Sequence, residues 1–337
     1  MKPLVTLAVT TLNRPKYLPE ILASVLAQDY ANIDILVSDN GSNDETPVVT
    51  QELVDADPRV RLRRNETTVP AHEHFTQCVR AARGEYFVLL NDDDRINTGF
   101  VSDLVRVATR HPDLNTVVPS NILINEVGAT LREFAKPDWE IYDGPTFVCD
   151  WLESRDPQML CNPTTVLMRT DVIRRFGGYQ RLRGNGRNID NLLFLQCAIT
   201  GRVGFAREAT FYCRKHPESC GSRSTSREII QSGRAYMRHL RQDHETVRAL
   251  AAVSPSCRKR ILRGVREMTT FELLNQLNLD QDAFRWRTVR TFLMSGRRDL
   301  IFFYIVLREY LRRASPTLYY GLRGIIRPRS GARSVSS

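Results

Sequence analysis

The apolar run Tyr86-Phe87-Val88-Leu89-Leu90 ends in Asn91-Asp92-Asp93-Asp94, and this junction constrains the fold more than any other segment of the chain. Five β-prone residues make a strand short enough and apolar enough to be buried on both faces. Three adjacent carboxylates at its end repel one another and resist desolvation unless a cation sits among them. A hard divalent ion such as Mg²⁺ or Mn²⁺ suits oxygen ligands and keeps positions open for phosphate oxygens. A solvated acidic turn capping the next helix is the plainer alternative. Position argues against it, because open α/β sheets bind ligands at the carboxyl ends of their strands.

The segments before this junction alternate in type. Residues 4–10, 33–37 and 60–62 read as strands, and the apolar spacing predicts helices from Leu18, over 45–54 and over 72–82. Such alternation predicts a mostly parallel sheet flanked by crossover helices. Further strands are expected at 115–119, 166–168 and 202–206, with helices over 171–176, stopped by Gly177-Gly178, and 190–200. Beyond about residue 222 the strand signal ends and helical spacing continues to Arg313. The expected organisation is one α/β domain over 1–220, in two halves over 1–95 and 96–220. A basic helical region follows over 221–326, then a disordered tail over 327–337.

Two more polar loops fall at the same sheet edge. The first strand runs into Thr10-Thr11-Leu12-Asn13-Arg14 and the second into Ser38-Asp39-Asn40-Gly41-Ser42-Asn43-Asp44, where Gly41 can take positive φ. Three converging polar loops make a nucleotide-sized pocket. Neither glycine-rich phosphate-loop pattern occurs, so a pyrophosphate needs another counter-charge, which a metal at Asp93 supplies.

Taken in order, these three loops resemble the signature of family-2 glycosyltransferases with the GT-A fold. Phe176-Gly177-Gly178-Tyr179, Ile189-Asp190-Asn191 and Tyr212-Cys213-Arg214-Lys215-His216 resemble that family's later landmarks. The resemblance covers roughly residues 4–220. It implies an inverting transfer of sugar from a nucleoside-diphosphate sugar to a hydroxyl of a glycan or lipid-linked acceptor. It places Thr10, Asn13, Arg14, Asp39, Asn40 and Asp92 around the nucleotide. Asp93, Asp94 and His216 fall at the metal, Arg214 on a loop over the diphosphate, and Asp190 in the role of general base. Two departures stand out. Asn40 replaces an acidic residue of the second-strand motif, and Ile189 replaces the one before the base. Asp190 also opens a helix, where a carboxylate is a common first-turn residue, and His216 lies in a loop where histidines are often only solvated.

Charge is unevenly spread. From Ser226 onward there are 22 Arg/Lys against 9 Asp/Glu, whereas residues 1–225 carry 26 against 29. The arginines flanking residues 300–307, with Phe302, Phe303 and Tyr304, predict contact with an anionic membrane surface, or else packing on the catalytic domain. No nucleic-acid motif accompanies this charge, and no nucleic-acid partner is expected. Seven scattered cysteines without a C-x-x-C pair predict buried thiols in a reducing, cytoplasmic setting, peripheral to the membrane at most. A nucleotidyltransferase would share the sheet and metal but calls for a glycine-rich first loop, and residues 10–17 contain no glycine. A catalytically silent nucleotide-sugar binder would need Asp39 and Asp93 but not Asp190.

Overall fold

A computed structural model describes residues 2–154, 162–182, 187–217 and 225–278, which build one ten-stranded sheet and the helices around it. Strands β1 (Val5–Thr11), β2 (Ile33–Asp39), β3 (Val60–Arg64) and β4 (Tyr86–Asn91) run parallel in the order β3-β2-β1-β4. Helices α1 (Leu18–Leu26), α2 (Thr46–Ala56) and α3 (Ala71–Ala81) cross over between them. Every residue of β1 and β2 is buried, which is why these strands read as largely apolar runs, and Asp34 within β2 is paired with Arg61 and Thr6. Register fixes the functional edge. Thr11 lies opposite Asp39, and Thr10 opposite Asn91, so the three predicted loops leave the sheet at one level.

The second half adds β5 (Arg95–Ile96), α4 (Phe100–Arg110), β6 (Leu114–Ile124), β7 (Thr130–Glu133) and β8 (Ile141–Asp143). It continues with α5 (Gly144–Glu153), β9 (Leu167–Arg169), α6 (Thr170–Arg175), α7 (Ile189–Ala198) and β10 (Arg202–Arg214). The sheet extends as β4-β9-β6-β10-β5, with β9 antiparallel to both β4 and β6. The parallel core and the strand β9, expected at 166–168, were legible in the sequence; β5, β7 and β8 were not, because they are only two to four residues long. Helices α4 and α5 went unanticipated as well.

Strand β10 was expected to stop at Ala206, where polar Arg207 and Glu208 break the pattern. It continues to Arg214 through a register shift between Ala206 and Thr210. The displaced backbone is satisfied by side chains. Asp103 accepts from the amides of Glu208 (2.8 Å) and Ala209 (3.0 Å), and Ser120 donates to the Arg207 carbonyl. This irregularity carries Arg214 and His216 to the acidic edge.

The chain divides into two compact units, Met1–Arg266 and Glu267–Ser337. The first includes α8 (Ser226–Gln242), opened by a Thr225/Glu228 capping box, α9 (His244–Ala252), capped by Asp243, and the start of α10 (Pro255–Asn278). Of the second unit only residues 267–278, the end of α10, are described. The predicted membrane-contacting stretch at 300–307 and the tail at 327–337 lie outside the described residues. Among the described residues no helix is long and apolar enough to cross a membrane.

Candidate active site

The loops after β1 and β2 are tied to each other before any ligand is considered. Asn13 adopts a left-handed φ of +52°; its amide donates to Ser42 Oγ (2.9 Å), and its Oδ1 accepts from the Asn43 amide (2.9 Å). Ser42 in turn donates its amide (2.9 Å) and hydroxyl (2.6 Å) to Asp39 Oδ1. Asp39 is fully buried; among the described residues its Oδ2 receives no hydrogen bond, and Arg64 Nε stands 3.4 Å away as a charged neighbour. An acceptor in that state fits a nucleoside N–H or O–H donor. Thr10 is also buried, and its hydroxyl donates to the Leu90 carbonyl within the sheet.

Gly41 makes this turn possible. Its φ is +82°, and a Cβ there would stand 2.9 Å from the Thr67 carbonyl carbon and 3.0 Å from the Thr68 amide nitrogen. Both neighbours are backbone and cannot rotate away. Gly41→Ala is expected to cost about 1–2 kcal/mol from the left-handed conformation alone, with the contact adding to it. The urea midpoint at constant m-value measures this.

Asn40, expected at the nucleotide, is engaged elsewhere. Its Oδ1 accepts from Asn65 Nδ2 (2.8 Å) and the Val69 amide (3.1 Å), while its Nδ2 donates to the Val69 carbonyl (2.9 Å). The carboxamide thus pins the 65–69 loop to β2. An aspartate could not donate to Val69, which explains the amide at this position.

Beneath the edge, Ser38 Oγ lies 2.8 Å from His74 Nε2. Burial, with the Arg63 charge second, holds the His74 pKa down to about 4. The unfolded chain therefore takes up a proton as pH falls through the ordinary histidine range while the folded protein does not. Stability from this group is present above about pH 6.5 and is lost toward pH 4. Between pH 7 and pH 5 the loss is about 2 kcal/mol, and His74→Gln should remove that part of the pH dependence in paired urea titrations.

The acidic edge is built from β4, the first loop and the end of β10. Arg14 Nη1 lies 2.5 Å from Asp93 Oδ2 and 3.1 Å from Asp92 Oδ1. His216 Nε2 lies 2.9 Å from the same Asp93 Oδ2. Arg214, buried, donates from Nε to the Asp93 carbonyl (2.8 Å), from Nη1 to the Asn125 and Glu126 carbonyls, and pairs with Glu20. Its guanidinium lies over the Tyr17 ring, and the His216 ring meets Tyr17 at a tilt of 48°. Burial and the Asp93 charge push Asp92 up to about 6 against the pull of Arg14, and they push Asp94 well above the usual carboxylate range.

The sequence placed Asp94 at the metal; the structure gives its oxygens other work. Oδ1 accepts from the Arg214 amide (3.0 Å) and Oδ2 from Asn91 Nδ2 (3.0 Å), so Asp94 splices β4 to β10. Arg214 likewise braces the turn and does not lie free over a diphosphate. Among the described residues no cluster of three or more His, Cys, Asp or Glu side chains could hold a metal alone. Asp93 and His216, an oxygen and a nitrogen donor converging at one point, fit a Mg²⁺ or Mn²⁺ ion that takes its remaining ligands from phosphate and water.

Asp190 sits in the first turn of α7, half-buried. Oδ2 accepts from Thr164 Oγ1 (2.7 Å) and Oδ1 from the Asn191 amide (2.8 Å). Thr164 follows Asn162, whose Oδ1 accepts the Thr164 amide and whose Nδ2 contacts Cys213 Sγ, the residue before Arg214. Asp190 therefore reaches the acidic edge through neighbours and makes no direct contact with Asp92, Asp93 or Asp94. Its helix is entered through Asn188 at φ +63° and held by α8, where Ser232 donates to the Arg187 carbonyl and Tyr236 to the Asn191 carbonyl. Ile189 is buried, which explains an apolar residue where the family resemblance led one to expect an acid. Thr164, Glu20, Ser232 and Tyr236 went unnoticed in the sequence, each lying outside a motif; Ser42 stood within the second-strand motif, but its hold on Asp39 was not foreseen.

Comparisons with known proteins identify the family and the fold. Residues 6–174 match the family described as Glycosyl transferase family 2. The chain is 31% identical over 135 residues to GalNAc(5)-diNAcBac-PP-undecaprenol beta-1,3-glucosyltransferase of Campylobacter jejuni, covering 40% of this chain and 42% of that protein. It is 30% identical over 104 residues to the glycosyltransferase GlyG of Streptococcus pneumoniae, covering 31% and 35%. The matches thus span less than half of either relative. The fold resembles S. aureus TarS 1–349 in complex with UDP-GlcNAc, with a TM-score of 0.54, 14% identity, and coverage of 80% of this chain and 90% of that one. It also resembles the mannosyltransferase PcManGT of Pyrobaculum calidifontis in complex with GDP-Man and Mn²⁺ (TM-score 0.53, 15% identity, 97% and 88% covered).

Proposed function

Because the chain belongs to glycosyl transferase family 2, we propose that it moves a sugar from a nucleoside-diphosphate sugar to a hydroxyl of a glycan or lipid-linked acceptor, inverting the anomeric carbon. One observation carries this reading. Arg14, Asp92, Asp93 and His216 converge at the carboxyl edge of the parallel sheet, beside the buried, under-satisfied Asp39. Asp39 accepts from the nucleoside, with Ser42 and Asn13 keeping its loop in place. Asp93 and His216 would hold a divalent ion, which when bound would supply counter-charge to the departing diphosphate. Arg214 and Asp94 keep the two strands carrying those ligands in register.

Asp190 takes the acceptor hydroxyl's proton as its oxygen bonds to the anomeric carbon and the sugar–phosphate bond breaks. Thr164 orients the carboxylate by donating to one oxygen, leaving lone pairs for that proton. The Campylobacter relative, named for an undecaprenol-diphosphate-linked glycan, supports a lipid-linked acceptor. The basic C-terminal region, attracted to anionic lipid, would bring the enzyme to such a substrate. A panel of nucleotide sugars and lipid-linked or soluble glycan acceptors tests the reading. Free nucleoside diphosphate should appear only when a matching donor and acceptor are both present. Release that ignores the acceptor throughout would count against transfer.

A further inference from the structure

The oxygen best placed to bind a divalent ion, Asp93 Oδ2, is already held by Arg14 Nη1 at 2.5 Å and by His216 Nε2 at 2.9 Å. The same guanidinium nitrogen reaches Asp92 Oδ1 at 3.1 Å, so one cation serves both carboxylates. Their side chains are only 11% and 6% exposed, which makes an unneutralised pair costly. The backbone beside Arg14 is fixed, because Asn13 is pinned to Ser42 and Asn43. The movable part is the long arginine side chain, itself 21% exposed. A guanidinium and a divalent ion repel each other and cannot both occupy Oδ2. A diphosphate, in contrast, offers a guanidinium several oxygens in the fork geometry it binds best.

From this, and resting on the metal reading above, we infer that Arg14 is an internal counter-cation that fills the metal seat in the resting enzyme. It yields the seat by moving onto the donor's diphosphate. Metal and diphosphate binding are then coupled: the metal alone must compete with Arg14 for the Asp93 oxygen, whereas the diphosphate both draws Arg14 away and completes the metal's ligands. This ordering keeps Asp93 neutralised at every stage and discourages capture of metal without substrate.

Two binding titrations on the full chain test this without any turnover. The first follows Mn²⁺ alone by the paramagnetic resonance signal of the free ion. Arg14→Gln should bind Mn²⁺ at least about tenfold more tightly than wild type, since one competing charge is gone. Arg14→Lys, which keeps that charge, should stay near wild type. The second uses inorganic pyrophosphate in the presence of chelator, read by calorimetry. Here Arg14→Gln should bind about tenfold more weakly than wild type. A purely structural arginine would not produce opposite shifts in the two experiments. Equal or weaker Mn²⁺ binding by Arg14→Gln, including no measurable binding by either protein, overturns the inference, as does unchanged pyrophosphate binding. Asp93→Asn placed on the Arg14→Gln background separates the two readings. If it leaves Mn²⁺ binding untouched, the metal assignment at Asp93 fails; if it abolishes binding while Arg14→Gln alone matches wild type, only the role of Arg14 fails.

Discussion

Asp190→Asn should cut the rate of sugar transfer by about 10²–10⁴-fold, the usual contribution of a positioned general base, while donor affinity stays within about twofold. The substitution is nearly isosteric. The carboxamide oxygen can still accept a hydrogen bond where Asp190 meets Thr164 and the Asn191 amide, so the entry to α7 and its supports on α8 should stay in place. What disappears is a group able to hold the acceptor's proton. Asp190 touches none of the residues assigned to the diphosphate, so binding and turnover should separate cleanly. Single-turnover kinetics alongside calorimetric donor binding would show it. Wild-type turnover in the variant would return Asp190 to the rank of a helix first-turn residue. Equal loss of donor binding would mean that the substitution disturbs the whole edge.

Asp93→Asn should abolish the Mn²⁺-dependent stabilisation of the protein by a nucleoside diphosphate. A ligand present at a hundred times its dissociation constant raises stability by about 2.7 kcal/mol, and that increment should vanish from thermal melts of the variant. Asp92 does not replace it, since the His216 nitrogen meets Asp93 Oδ2 and not Asp92, whose own Oδ2 faces the Leu12 amide at 3.4 Å. Asp94 is committed to Arg214 and Asn91. An undiminished Mn²⁺ effect in the variant would move the metal away from Asp93.

The uneven legibility of this site in the sequence has a physical origin. Strands buried on both faces are mostly apolar, so β1, β2 and β4 announced themselves, and the loops at their carboxyl ends followed. Arg14, Asp39, Asp92 and Asp93 were visible because a polar residue at the end of such a strand has few plain explanations. The roles of Asn40, Asp94 and Arg214 were not, because motif position does not reveal whether an oxygen is already satisfied. Apart from Asn91 beside Asp94, each turned out to be held by distant partners, from 25 residues away for Asn40 and Asn65 to 194 for Arg214 and Glu20. Strand β10 shows the other limit. Its bulge is satisfied by Asp103 and Ser120, long-range acceptor and donor with no local signature, and polar residues at 207–208 look like an end to pairing. The support of α7 by Ser232 and Tyr236 likewise joins segments that composition alone assigns to different regions.

The most direct test of the account is an anomalous difference map from a crystal grown with Mn²⁺ and the nucleoside diphosphate that stabilises the protein most. The account predicts a single strong peak about 2.1 Å from an Asp93 carboxylate oxygen and from His216 Nε2, with diphosphate oxygens on its remaining sides. A peak elsewhere, or nucleotide seated at this edge with no peak beside Asp93, would contradict it.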